Sequence, residues 1–290
     1  MTGVEAAAAK PFGPPIRITG RDGPWAPVTR SVQEYGTALV YAHLDDWRPD
    51  RAAGPRLQRL LGRDWAKYLE LTHLDVRIRF AASRILLKTA VGRLFGVGPE
   101  EVELGYRDKG RPFIRGNDSV DVSISHTDGL LLVGLSTQGQ IGVDVEPADR
   151  ELYDQGLARH LCTETELKRV EALPYELRNA ELLRIWTLKE AYTKAIGTGL
   201  MSSFGSFSVD GSGSCHGLRG PDGEPADTGT WYSATFTDEP EYVLSVAVVD
   251  DGFGSDTQAA TGARLNDGLV SALIDALGEE EPDQGADSDW

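Results

Sequence analysis

Ile141-Gly142-Val143-Asp144-Val145-Glu146 is the stretch on which the reading of the fold turns. Side chains of a strand alternate between its faces, so this pattern sends Ile141, Val143 and Val145 into a core and sets Asp144 and Glu146 together on the opposite face. Upstream, Leu57, Leu60, Leu61, Trp65 and Tyr68 recur at helical spacing. A clearer helix is predicted from Asp75 to Phe95, with Ile78, Ala81, Ala82, Ile85, Leu86, Thr89 and Leu94 on its apolar side and Arg77, Arg84 and Lys88 on the other. Gly96 to Pro99 ends it, and strands are expected at 102–106, 120–125 and 130–136. Downstream, Thr163-Glu164-Thr165-Glu166 has the form of a capping box that opens a helix. A long helix is then expected over Tyr175 to Ile196, closed by Gly197, followed by strands at 207–209, 231–236 and 242–249. Helix and strands, then helix and strands again, predict two similar halves that meet near residue 140.

Composition narrows the function classes. The chain of 290 residues carries 29 basic and 45 acidic side chains, a formal charge of -16, which argues against a broad grip on nucleic acid or an anionic membrane. No apolar run approaches the roughly 20 residues of a membrane-spanning helix, and the N-terminus lacks a secretory pattern, so a cytoplasmic location is expected. Cys162 and Cys215 fit neither a disulfide framework nor a zinc site and are expected as free thiols. The charge is unevenly distributed: between Arg51 and Arg93 ten basic residues face three acidic ones, a local balance of +7. That segment suits a compact anionic ligand, although a solvated helix face would read the same way. Residues 1–30 are expected as a loosely held arm, 210–230 as a Gly-rich loop, and 251–290 as a linker, a short helix at Leu265 to Leu277 and an acidic tail.

Three clusters carry chemistry. Asp144 and Glu146 repel each other unless they are solvated or neutralised, and a divalent cation with oxygen ligands neutralises them well. In Trp186-Thr187-Leu188-Lys189-Glu190-Ala191-Tyr192-Thr193-Lys194-Ala195-Ile196-Gly197-Thr198-Gly199, the residues Trp186, Glu190 and Lys194 share one helix face. They read either as a surface ion pair or as a third oxygen ligand beside a phosphate-facing cation. Ser123-Ile124-Ser125-His126-Thr127-Asp128-Gly129 ends a strand, and with the Lys109-Gly110-Arg111-Pro112-Phe113 turn it could line an anion pocket.

Taken in order, Gly-Arg-Pro at 110–112, Ser-His at 125–126, Gly-x-Asp-x-Glu at 142–146 and Trp-x-x-Lys-Glu-Ala-x-x-Lys-Ala-x-Gly-x-Gly at 186–199 resemble the 4′-phosphopantetheinyl transferases of the surfactin-synthetase-activating type, over about residues 60 to 250. The resemblance implies an α+β protein of two pseudo-symmetric halves, 31–140 and 141–250, with the active site in the cleft between them. It implies that Asp144, Glu146 and Glu190 hold Mg²⁺ (or Mn²⁺) on the pyrophosphate of coenzyme A, and that Lys194 contacts the same phosphates. Gly110, Arg111, Pro112, Ser125 and His126 take the places of the family's nucleotide-binding residues, and Lys67 and Arg79 those that grip the 3′-phosphate. Two departures stand out: Arg111 replaces the usual Lys, and Ser123 sits where Asn is common. The implied partner is an acyl or peptidyl carrier protein, and a monomer is expected. Glu166 is a possible alternative base, with its capping role preferred. The rival readings are a nonenzymatic coenzyme A-binding module and another Mg²⁺-dependent enzyme that cleaves pyrophosphate.

Overall fold

A computed structural model describes residues 11–49, 54–107, 110–154, 156–197, 204–209 and 231–249. The readings of 210–230, Cys215, Leu265 to Leu277 and the acidic tail lie outside the described residues. The chain begins with β1 (Ile16–Arg17), α1 (Ala26–Tyr35), β2 (Thr37–His43) and α2 (Leu44–Trp47). Residues 11–30 are therefore not a loose arm: β1 pairs in parallel with β2, and Ile18 and Trp25 are buried in the core. The single helix read over 57–68 is two, α3 (Gly54–Leu61) and α4 (Asp64–Glu70), because Gly62 between them adopts a left-handed φ of 58° that few other residues tolerate.

Then follow α5 (Leu74–Phe95), the hairpin β3 (Leu104–Tyr106) and β4 (Pro112–Ile114), β5 (Asp121–His126), β6 (Leu130–Ser136) and β7 (Gln140–Pro147). The second half continues with α6 (Ala158–Leu161), α7 (Glu164–Glu171), α8 (Tyr175–Ala195), β8 (Trp231–Phe236) and β9 (Tyr242–Val249). The stretch expected as a strand at 207–209 is irregular, coming directly after a 3₁₀ turn at Phe204–Ser206. The strands form one sheet in the order β1-β2-β6-β5 and another in the order β7-β9-β8. The segment β2-β6-β5 and the second sheet thus share one layout, each with a long helix on one face. Among the described residues no helix is long and apolar enough to cross a membrane.

Apolar patterning builds three cores. One lies between the first sheet and α1, α3 and α5, and a second between the other sheet and α6 and α8. The third joins the sheets, with Leu39, Tyr41, Leu130 and Leu132 against Ile141, Val143, Val145, Leu244, Val246 and Val248. The predicted orientation of β7 holds: its valines face the other sheet, and Asp144 faces α8.

Each half is pinned by a buried lysine. Lys88 of α5 donates to the Leu60 carbonyl at 2.6 Å, and Lys189 of α8 to the Leu161 carbonyl at 2.8 Å. Lys189 also reaches Glu166 and the Phe204 carbonyl, both at 2.6 Å. Glu166 completes the capping box with Thr163 and accepts from the Val209 amide. With 1% of its surface exposed and its oxygens engaged, Glu166 is structural.

The halves are also joined along an edge. Alternate amides of β7 point away from β9, and an uncovered edge would leave them bare. Side chains of β5 cover them: Asp121 accepts from the Ile141 amide at 2.8 Å, Ser123 from Val143 at 3.1 Å and Ser125 from Val145 at 3.3 Å. Ser123, at a position where the resemblance expects Asn, is thus one rung of this seam.

Candidate active site

Three elements converge at the seam. β7 presents Asp144 and Glu146 toward α8, which lies close because Gly142 has no side chain: a Cβ there would fall 1.8 Å from the Ala191 carbonyl oxygen and 2.5 Å from the Ala195 nitrogen. That approach brings Glu190 and Lys194 down onto the acids, and the end of β5 adds Ser125 and His126. Trp186, Glu190 and Lys194 share a face as read, and that face looks at the strand. The Trp186 indole donates to Glu146 at 3.2 Å, and the Lys194 ammonium donates to Asp144 at 2.6 Å and to Ser125 at 2.9 Å. The Ser125 hydroxyl in turn donates to the same Asp144 oxygen at 2.8 Å.

The acids sit close enough to alter one another. Burial, then the charge of Asp144, raises the Glu190 carboxyl to about 7, with Lys194 opposing. Glu146 is raised by burial and by Asp144, against Arg150. Burial alone would lower Lys194, but Asp144, Glu190 and Glu146 outweigh it and raise its pKa. Among the described residues, no three His, Cys, Asp or Glu side chains stand as a ready-made metal cage. Instead, Lys194 takes one oxygen of Asp144, and Arg150 takes one of Glu146 while stacking over Trp186. Asp144 Oδ2 and Glu190 Oε1 are nevertheless buried without a hydrogen-bond partner. Two orphaned carboxylate oxygens in a crowd of acids fit a hard divalent cation that keeps part of its coordination for water or a substrate.

A second, cationic crowd adjoins the first. His126 keeps solvent access at its edge, yet desolvation and then the positive charges of Arg84, Lys194 and Arg79 lower its pKa to about 4. Arg79 pairs with the exposed Asp128. The buried Nε atoms of Arg77 and Arg84 have no acceptor. The unspent donor of Arg84 beside a neutral imidazole, with Arg79 and Lys194 also acting on it, offers a place for an anion, and Lys194 stands between it and the acids.

The remaining expected site residues fare differently. Lys67 lies exposed on α4, 3.5 Å from Glu70, and is not among the cations that act on His126. Arg111, expected to face nucleotide, is turned into the seam, where it pairs with Asp121 and donates to the carbonyls of Lys194 and Ile141. Its guanidinium satisfies the C-terminal end of α8, where helix carbonyls lack partners. Gly110 forms the preceding turn at φ 82°, and Pro112 opens β4. Three functional side chains escaped the sequence reading. Arg84 was visible only as one polar face of a helix, Asp121 carried no motif, and Arg150 follows the strand at a spacing meaningful only once the turn closed by its amide on the Pro147 carbonyl is formed.

Residues 140–247, which contain the acidic strand, α8 and the second sheet, match the family model of the 4′-phosphopantetheinyl transferase superfamily. The match covers little more than a third of the chain and marks a similarity to that superfamily. The 4′-phosphopantetheinyl transferase HetI of Nostoc sp. is 32% identical over 127 residues, 43% of this chain and 54% of that protein. The match thus spans about half of HetI's own length. The 4′-phosphopantetheinyl transferase Sfp of Bacillus subtilis is 24% identical over 188 residues, 63% of this chain and 80% of that protein. A holo-(acyl-carrier-protein) synthase from Bacillus anthracis, solved in complex with coenzyme A (3′,5′-ADP), aligns at a TM-score of 0.30 and 21% identity, covering 38% of this chain and 95% of that one.

Proposed function

We propose that this protein is a 4′-phosphopantetheinyl transferase, which transfers the 4′-phosphopantetheine group of coenzyme A to a serine hydroxyl of an apo acyl or peptidyl carrier protein and releases 3′,5′-ADP. The observation that carries the reading is the adjacency of the two crowds: partly unsatisfied acids on one side of Lys194 and, on the other, the cations around His126, Arg84 among them with an unspent donor. A diphosphate bridging a divalent cation and a phosphorylated ribose presents that distribution of charge.

In this reading His126, Arg79 and Arg84 hold the phosphates at the nucleotide end, with His126 neutral at pH 7 and able to donate a hydrogen bond without adding charge. Asp144 and Glu190 would hold Mg²⁺, with Glu146 set beside them by Arg150 and Trp186. When bound, the ion would supply charge neutralisation at the diphosphate. The serine oxygen gives its proton to one of the site carboxylates and forms a bond to the β-phosphorus as the bond to the 3′,5′-ADP oxygen breaks, and the Lys194 ammonium donates to the oxygen on which charge gathers. Ser125 holds Lys194 on its aim. The halves need no second copy to complete the site, consistent with a monomer, and a cytoplasmic setting would supply coenzyme A and reduced thiols.

Incubating the full chain with coenzyme A, MgCl₂ and a panel of apo carriers, followed by intact-mass measurement, tests the reading. The expected result is a gain of one phosphopantetheine on the carrier, abolished by a chelator. Coenzyme A binding with no mass gain on any carrier would instead make the protein a binding module. Coenzyme A cleavage without a carrier would make it a pyrophosphate-cleaving enzyme.

A further inference from the structure

A second concentration of positive charge lies at the other end of α5. A cleft of about 490 Å³ opens between α3, the last turn of α5 and residues 97–100, lined by Arg21, Arg56, Arg59, Arg93 and Glu100. Leu60, Val97 and Pro99 give it an apolar floor, and a smaller cavity of about 270 Å³ continues from it past Arg21 and Arg56. Fourteen residues of helix separate Arg93 from Arg79, about 21 Å at 1.5 Å per residue, so the cleft is not part of the His126 pocket.

Its charge is not balanced from within. Four guanidiniums face Glu100 and, at the rim, Asp22, which stands 3.9 Å from Arg93, an excess of two positive charges. Among the described residues, Arg56 and Arg59 have no hydrogen-bond or ion-pair partner. Arg21 is half-buried, and burial followed by the charge of Arg56 lowers its pKa. Cations in the final turn of a helix are favoured by its dipole, which accounts for Arg59 and Arg93. It accounts for neither Arg21 nor Arg56, which crowd against each other in the same concave space.

We propose that this cleft is an anion-binding site separate from the His126 pocket, taking a small molecule that carries two or more phosphate groups. Guanidinium forks match phosphate oxygens two at a time, and four of them spread around one cavity match a diphosphate better than a single phosphate. The apolar floor leaves room for an organic body attached to it.

The test follows the side-chain Nε–H signals of arginine in the ¹⁵N-labelled full chain while inorganic pyrophosphate is titrated at constant ionic strength. The signals of Arg21, Arg56, Arg59 and Arg93 are expected to shift together and to saturate, in the wild type and equally in Arg79→Ala. The double variant Arg56→Ala/Arg59→Ala, which alters exposed side chains, should weaken pyrophosphate at this cleft at least tenfold while coenzyme A binding stays within twofold of wild type. Shifts confined to Arg77, Arg79 and Arg84, shifts that grow without saturating, or an affinity unchanged in the double variant would each overturn the proposal. So would an oligoglutamate peptide that moves the same signals at lower concentration than pyrophosphate, since the occupant would then be an acidic polypeptide.

Discussion

In the N-terminal half, the face of β2 that looks toward the helices carries Ala38, Val40 and Ala42, all in the core. In the C-terminal half, the corresponding face of β7 carries Gly142, Asp144 and Glu146. The helices differ in step. Counting from the buried lysines Lys88 and Lys189, the residues one and five positions on are Thr89 and Arg93 in α5 but Glu190 and Lys194 in α8. Thr89 returns its hydroxyl to its own helix at Ile85, whereas Glu190 faces Asp144. One scaffold thus supports either a dry helix–strand interface or a charged one. The charged version requires a glycine for the close approach and cations against the acids.

The sharpest way to break this comparison is to make the C-terminal face resemble the N-terminal one. Asp144→Ala and Glu190→Ala should each lower carrier modification by about 10³-fold or more, as expected when a metal or transition-state charge partner is removed. The melting temperature of Glu190→Ala should stay at or above that of the wild type, since it removes a buried carboxylate that its neighbours repel, whereas Asp144→Ala also strips Lys194 and Ser125 of their acceptor and should melt lower. Turnover near normal in either variant, measured by carrier mass shift, would detach the acids from the reaction.

Gly142→Ala tests the close approach alone. Its added methyl meets backbone, not a movable side chain, so a loss of about 3 kcal/mol or more is expected in denaturant unfolding, where overpacking falls at its costly end. A loss under about 1 kcal/mol would show that α8 can retreat from β7.

The buried lysines give a graded contrast. Lys189→Met leaves Glu166 charged, buried and unpaired and should cost about 3–5 kcal/mol. Lys88→Met breaks one bond to a carbonyl and loosens longer-range attractions to Asp64, Glu103 and Glu100, so about 1–3 kcal/mol is expected. Equal losses in urea unfolding would mean that the two pins are equivalent after all.

The smallest effect is a pH slope. The Glu190 carboxyl is held at about 7, above its ordinary 4.5, so the folded protein keeps a proton that the unfolded chain releases, and stability falls as pH climbs through that interval. Glu190→Gln should therefore raise the melting temperature of metal-free protein more at pH 8 than at pH 5. The same increment at both pH values would remove burial and Asp144 as the cause.

Much of this was legible in the residues. The alternation around Val143, the capping box at Thr163 and the i, i+4, i+8 face of Trp186, Glu190 and Lys194 are local patterns, and local patterns survive as read. β2 and α1 were missed because Thr37–His43 is a nearly continuous apolar run without alternation and α1 follows a Pro- and Gly-rich approach. The part played by Arg111 could not be read from its motif, because its acceptors lie 10, 30 and 83 residues away along the chain.

By itself, then, the sequence determined most of the helices and strands from Asp75 onward, which faces they bury, and that three acids and an ammonium occupy two of those faces, since each follows from spacing within about twenty residues. Only the tertiary structure decided what those groups meet. The rungs from Asp121, Ser123 and Ser125 to β7, the Arg150 clamp on Glu146 and the arginines gathered at the far end of α5 depend on side chains brought together from distant segments. No spacing rule encodes such meetings, because they are fixed by the packing of whole sheets and helices against one another.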